Sequence, residues 1–129
     1  MKDSTKNWFV LAEKELKLAE FAYKASEPIG IIYHLHACIE KVLKGIYDEM
    51  KGSPPRIHSL KKLAIESCNL PLEERKRNLF DLLDKAFIDS RYPEDVVSFE
   101  KKYNLENCVK LIKEVKEIVI WLKSLMKES

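Results

Sequence analysis

Apolar residues recur every three or four positions along almost the whole chain, which is the spacing of one face of an α-helix. No segment alternates apolar and polar residues as a half-buried strand does. The longest stripe begins at Pro28, which suits the first turn of a helix, and ends at Gly52, which precedes a Ser-Pro-Pro sequence. The pattern therefore predicts helices over residues 5–25, 28–52, 59–68, 71–91 and 104–127.

The ends of the remaining helices carry local signals of their own. Ser4 or Thr5 can cap the first helix, and Asn104 can cap the last. Residues 93–103 fit either a loop or a short helix over residues 95–101. Because the connections are brief, neighbouring helices should run antiparallel. We therefore predict an all-α fold, an up-and-down antiparallel helical bundle of four main helices and one short helix, in a single domain over residues 1–129.

Each stripe also predicts which side chains are buried. The fourth helix should pack inward with Leu79, Leu82, Leu83, Ala86 and Phe87. The stripes of the other helices include five more large residues that we expect on the inner face, namely Phe21, Tyr23, Tyr33, Met50 and Val109.

The charge balance limits the classes of partner. The chain has 129 residues, with 23 Lys and Arg against 21 Asp and Glu, so its net charge is only +2. This balance argues against a protein that grips nucleic acid by bulk charge, and we expect no duplex DNA partner. Lys strongly outnumbers Arg and Gln is absent, which is typical of a protein from a hot habitat, although low-GC genomes also favour Lys.

Membrane and redox signals point to the cytoplasm. No run approaches the roughly 20 apolar residues of a transmembrane helix, and the first residues lack a signal-peptide core. The three cysteines, Cys38, Cys68 and Cys108, are too widely spaced for a Cys-x-x-Cys pair. We therefore expect a cytoplasmic protein with reduced thiols and no membrane contact.

The sequence offers little for a metal or a cofactor. On a helix, His34 faces with Cys38 and His36 faces with Glu40, so the two pairs point in nearly opposite directions and cannot share one ion. With only three glycines, the chain cannot form a glycine-rich phosphate cradle. We predict no metal and no cofactor, and we interpret His36 as a hydrogen-bonded core or interface histidine.

Three short segments differ from ordinary bundle sequence. In residues 40–44, Glu40 and Lys44 can form an ion pair one helical turn apart. Residues 56–60 enter the short helix, with His58 or Ser59 as a cap. In residues 90–95, Arg91 and Tyr92 lie in a bend set by a proline, and this bend is either structural or a fork that recognises phosphate or carboxylate.

Together these segments resemble the HEPN family (higher eukaryotes and prokaryotes nucleotide-binding domain) over nearly the whole chain. The resemblance implies a helical bundle, often homodimeric, similar to the helical substrate-binding domain of kanamycin nucleotidyltransferase. It also implies a partner, a minimal nucleotidyltransferase encoded in a two-gene, toxin–antitoxin-like module. For a nucleotide or another phosphate-bearing ligand, the candidate contacts are Lys41, Lys44, His58, Arg91 and Tyr92. The structural motif residues are His36, Glu40, Asp89 and Pro93.

One departure from the family bears on catalysis. Many HEPN proteins are metal-independent ribonucleases that use an Arg followed, after four to six residues, by a His. No position matches here, because no histidine follows His58 and Arg56 lies only two residues before it. We therefore predict no catalytic residue and a non-catalytic substrate-binding subunit. The alternatives are a toxin ribonuclease that uses His36 or His58, and a pure dimerisation module.

Overall fold

A computed structural model of the chain describes residues 1–92 and 94–127, and every regular element in those residues is helical. A π-helical turn (Leu63–Ser67) extends the third helix, and a 3-10 turn (Leu125–Lys127) ends the last. The prediction of an all-α helical bundle is confirmed. The helices are α1 (Asp3–Lys24), α2 (Pro28–Lys51), α3 (Leu60–Lys62), α4 (Glu74–Arg91), α5 (Val96–Lys102) and α6 (Leu105–Ser124).

Helix α2 is the centre of the bundle. Helices α1, α4 and α6 all pack against it, and most of its residues are buried. Because α2 meets neighbours on several sides, its buried residues are not confined to one stripe. The backbones of α4 and α6 stay apart, although the Lys76 ammonium on α4 lies 4.4 Å from the centre of the Trp121 ring on α6, and a groove runs between the two helices.

Helix ends that depend on local signals lie where the sequence predicts them. Pro28 is the first residue of α2, and Gly52, with a φ of +94°, ends it. Asn104 accepts a hydrogen bond from the Asn107 amide at 2.9 Å and caps α6. The ambiguous segment contains the short helix α5, which Asp95 caps by accepting from the Val97 amide at 3.0 Å.

The predicted cap of the first helix is wrong. Helix α1 begins at Asp3, and neither Ser4 nor Thr5 caps it. Both hydroxyls instead donate to the Asp48 carboxylate near the end of α2, Thr5 at 3.0 Å. A buried carboxylate needs hydrogen-bond donors, so these contacts tie the beginning of α1 to the end of α2.

The predicted start of the fourth helix is also wrong, because α4 begins at Glu74 rather than near Pro71. Leu72 is buried in the core, and its carbonyl oxygen accepts a hydrogen bond from the Arg77 guanidinium at 2.7 Å. These contacts hold the preceding segment outside the helix. The predicted third helix over residues 59–68 is present as α3 with its π-helical turn.

Six side chains that the stripes assign to the inner face are more than one-third exposed. Leu82 is 43% exposed because it faces the groove between α4 and α6, where no helix covers it. The others are Phe21, Tyr23, Tyr33, Met50 and Val109. The prediction of burial is therefore wrong at these positions. Among the described residues, no helix has the length and apolar character needed to cross a bilayer.

Candidate functional site

Two helix faces bring the polar motif residues together. On α2, His36, Glu40 and Lys44 follow one another at intervals of four residues and share one face. On α4, Asp84 and Arg91 lie two turns apart on one face, with Phe87 between them. Because α2 packs against α4, these two faces meet at the entrance to α3.

His36 is the buried centre of this arrangement, with 1% of its surface exposed. Its Nε2 lies 3.0 Å from Asp84 Oδ1. Since a carboxylate only accepts, Nε2 carries the proton in this hydrogen bond. The ring stacks on Phe87, with 4.0 Å between centroids and 9° between planes. Nδ1 has no hydrogen-bond partner among the described residues and lies 3.7 Å from Glu40 Oε1.

Asp84 joins three helices through its carboxylate. Besides His36, it accepts hydrogen bonds from the Ser59 hydroxyl at 3.0 Å and from the Leu60 amide at 2.8 Å, at the beginning of α3. Partial burial alone would raise the pKa of Asp84, but the hydrogen bonds from His36 and from the α3 backbone outweigh it and lower that pKa below its ordinary value. A carboxylate held in this way stays ionised and keeps α3 against α2 and α4.

Glu40 links the buried residues to the surface. Its Oε2 accepts from the Lys44 ammonium at 2.8 Å and lies 3.0 Å from His58 Nδ1. The side chain of His58 is 65% exposed, whereas Lys44 as a whole is only 9% exposed. When Nδ1–H of His58 donates to Glu40, Nε2 is the ring nitrogen that remains for contact with a ligand.

Arg91 lies next to this network, beside Phe87. Its guanidinium carbon is 5.4 Å from the centre of the Phe87 ring and 5.7 Å from that of Tyr92. Tyr92 is 70% exposed, and the exposed Tyr33 ring lies 5.9 Å from Phe87. Among the ion pairs of residues 1–92 and 94–127, none includes Arg91. We call the set of exposed Tyr33, Arg91 and Tyr92, with the half-buried Phe87 between them, the Arg91 surface.

The structure groups some of the predicted contacts and separates others. His58, Arg91 and Tyr92 lie at or beside the network of His36 and Glu40. Lys44 is buried against Glu40, as described above. Lys41 has a different neighbour, since its ammonium lies 3.9 Å from Glu15 on α1.

Two of the predicted motif residues lie outside this network. Asp89 is near Tyr103, where burial of the phenol and the neighbouring carboxylate raise the pKa of Tyr103. Pro93 lies outside the described residues.

Sequence reasoning missed Asp84 and the stacking role of Phe87. The signal for both was the spacing on α4, because Asp84, Phe87 and Arg91 occupy positions i, i+3 and i+7 of a helix. This spacing places a carboxylate and a guanidinium on one face with an aromatic ring between them. It does not identify His36 as the partner, which is 48 residues away in sequence.

The cysteines do not supply an activated nucleophile to the site. Burial raises the pKa of Cys38 to about 12 and the pKa values of Cys68 and Cys108 to about 11, which disfavours the reactive thiolate. Within the described part of the chain, no group of three or more His, Cys, Asp or Glu residues is arranged to hold a metal ion.

Comparison with protein families identifies the chain's family. The family model described as the HEPN domain matches residues 5–125. No curated protein and no solved structure matches the chain.

Proposed function

The chain belongs to the HEPN domain family, and on that premise we propose that it is a non-catalytic, nucleotide-binding helical subunit that works with a separate minimal nucleotidyltransferase. The observation that carries the proposal is the Arg91 surface. It combines a guanidinium that joins no ion pair within the described residues with two nearby aromatic rings, those of Phe87 and the exposed Tyr92. A nucleotide presents the matching chemistry, because its sugar joins an anionic phosphate to a flat base.

The two parts of the ligand would contact different side chains. The Arg91 guanidinium can make two parallel hydrogen bonds to a phosphate, which a lysine cannot. The exposed Tyr92 ring, or Tyr33 across Phe87, offers a face for the base, and such stacking contributes about 1–3 kcal/mol per base. His58, at the edge of the same network, could add a positive charge when protonated.

The buried network supports this role by holding the binding surface in place. Phe87, which neighbours Arg91, stacks on His36, and His36 is fixed in turn by Asp84. A surface fixed in this way loses little conformational entropy when a ligand binds. We therefore assign His36, Glu40 and Asp84 a positioning role.

Titration of ATP by isothermal calorimetry tests the binding claim. We expect Arg91→Ala to weaken binding by about tenfold, since a charge-assisted pair of hydrogen bonds is lost. Arg75→Ala is the matched control, because Arg75 is an exposed arginine on the same helix, near its other end. The binding claim fails if the wild type does not bind ATP, or if both substitutions weaken binding equally.

The partner claim rests on the family resemblance and needs a separate test. If a minimal nucleotidyltransferase gene adjoins this one, we expect the two proteins, co-expressed with one of them tagged, to purify together in a fixed ratio. Homodimerisation is part of the same proposal, and sedimentation velocity measures it. The partner claim is contradicted if the co-expressed proteins purify separately. The dimer claim is contradicted if the HEPN chain sediments as a monomer.

A second candidate function is a ribonuclease, and the pair of Glu40 and His58 favours it. A carboxylate that orients an exposed imidazole is the arrangement that general acid–base catalysis uses. In this alternative, the purified protein cleaves single-stranded RNA, and His58→Ala abolishes the cleavage while the fold is retained. Intact RNA after prolonged incubation with excess protein supports the non-catalytic function.

A further inference from the structure

The groove between α4 and α6 contains a cavity of about 560 Å³, separate from the Arg91 surface. Small-molecule sites in proteins are commonly clefts of about 300–1,000 Å³. The cavity lies where α4 and α6 both pack on α2 but their backbones stay apart. We call it the α4–α6 cavity, and Leu82, Lys85, Lys102, Tyr103, Lys110 and Leu111 are among the residues that line it.

Part of the cavity wall is apolar. Leu111 and Tyr103 are nearly buried, at 7% and 5% exposure, and belong to the hydrophobic core. Leu82 remains 43% exposed above them. Covering a large aliphatic side chain at the mouth of a cleft with an apolar group is favourable, because it removes apolar surface from water. The wall therefore favours a ligand with an apolar body.

The polar groups of the cavity are mainly cationic. Lys85, Lys102 and Lys110 contribute three ammonium groups from three helices, and none of them belongs to an ion pair among the residues that the structure describes. Of the two carboxylates in the lining, Asp81 lies 3.4 Å from the Lys61 ammonium, outside the cavity. Glu114 is the other carboxylate. The local charge is therefore positive.

A neighbouring cavity has the opposite character. It measures about 420 Å³ and includes Asp89, Glu94 and Asp95 in its lining, against one cation, Lys102. An anion placed there would be repelled by three carboxylates. The contrast shows that the positive charge of the α4–α6 cavity is not a general property of this end of the bundle.

We propose that the α4–α6 cavity binds a small organic anion, a phosphate or a carboxylate group attached to an apolar body. The lysines attract the anionic group, while Leu82, Tyr103 and Leu111 contact the body. This site does not depend on Arg91, so it stands or falls separately from the nucleotide-binding function.

Isothermal titration with 1-naphthyl phosphate and with decanoate tests the proposal. Each probe joins an anionic group to an apolar body, but the first is an aromatic phosphate and the second is an acyl carboxylate. Inorganic phosphate is the probe without a body. We expect at least one organic probe to bind. The double variant Lys85→Glu with Lys110→Glu should weaken it about tenfold or more, since two favourable charges become unfavourable.

Matched variants separate the cavity from general electrostatics. Lys101→Glu with Lys113→Glu makes the same change of net charge on α5 and α6 outside the lining, and we expect less than about a twofold effect. Leu82→Asn keeps every charge and should weaken both organic probes. Tighter binding of 1-naphthyl phosphate would identify aromatic phosphates as the ligand class, and tighter binding of decanoate would identify acyl carboxylates.

Several results would overturn the proposal. They are the absence of binding by both organic probes, equal weakening by the two double variants, binding of inorganic phosphate as tight as that of the organic probes, and loss of probe binding in Arg91→Ala. Sedimentation gives one more. If the double variant at Lys85 and Lys110 converts a dimer into a monomer, a second copy of the chain covers the cavity.

Discussion

The two histidines that contact Glu40 differ in surroundings and therefore in role. His36 is buried, stacked on Phe87 and hydrogen-bonded to Asp84. His58 has one short contact, to Glu40, and most of its side chain is in water. A buried side chain with packing and hydrogen bonds contributes to stability, whereas an exposed one is available to a ligand.

Alanine substitutions at these two positions should separate stability from function. His36→Ala should lower the free energy of unfolding by about 3 kcal/mol, because it leaves a cavity beside Phe87 and removes a hydrogen bond from Asp84. His58→Ala should lower it by less than about 1 kcal/mol. Urea unfolding of both variants measures the difference, and equal losses would contradict the roles assigned to the two residues.

Asp84 gives a test that depends on pH. Its pKa in the folded protein lies below the ordinary value of 3.8. The stability that this carboxylate contributes is therefore complete above about pH 4 and is lost as the pH falls through the lowered pKa. Asp84→Asn removes the contribution at neutral pH, which we expect to cost about 2 kcal/mol.

We expect the difference in free energy of unfolding between the wild type and Asp84→Asn to shrink in acid. Urea unfolding at about pH 7 and about pH 3 should show the wild type losing more stability than Asp84→Asn as the pH falls. Both proteins will lose some, because hydrogen bonds also lower the pKa values of Asp48 and Asp95. An unchanged difference at the two pH values would show that Asp84 does not act through its charge.

For individual residues, the sequence predicts contacts within a helix but not contacts between helices. The approach of Glu40 to His36 and its ion pair with Lys44 follow from helical spacing alone. The hydrogen bond between His36 and Asp84 joins residues 48 positions apart, and no local pattern specifies it. The candidate site was therefore predictable on α2 and at Arg91, while Asp84 needed the packed structure.

The helices themselves show the same division between local and distant causes. Pro28, Gly52 and Asn104 set helix ends through their own backbone or side chain, and these ends were predictable. Ser4 and Thr5 bond to Asp48, more than 40 residues away, and so do not cap α1. The beginning of α4 likewise depends on burial of Leu72, which is a tertiary contact.

The crossing of α1 and α2 depends on a glycine. A Cβ atom at Gly45 would lie 2.7 Å from Phe9 Cε1 and 3.0 Å from Trp8 Cβ. Gly45→Ala should therefore force the two helices apart and lower the free energy of unfolding by about 1–3 kcal/mol, even though alanine is the better helix former.

Gly30 is the matched control, since it lies in the same helix and a Cβ there would lie 3.3 Å from Ala22 Cβ. Gly30→Ala should change the free energy of unfolding by less than about 1 kcal/mol in either direction. Thermal or urea unfolding of the pair isolates the effect of the close approach. A Gly45→Ala protein as stable as the wild type would contradict the tight packing of α1 on α2.

For the whole molecule, the central position of α2 explains both the core and the surfaces left open. Three long helices cover α2, and the gap between α4 and α6 leaves Leu82 in water. The apolar pattern predicted that a bundle forms, but a helix that packs on a core and one that faces a groove carry similar stripes. The exposure of Leu82 could therefore not be read from the sequence.

Nucleotide binding at the Arg91 surface is the central functional claim, and one titration tests it most directly. Amide chemical shifts of ¹⁵N-labelled protein, followed while ATP is added, report both the affinity and the place of binding. We expect saturable shifts concentrated at Tyr33, His58, Phe87, Arg91 and Tyr92. The absence of saturable shifts, or shifts concentrated around Leu82, Lys102 and Lys110 in the α4–α6 cavity, would contradict the claim.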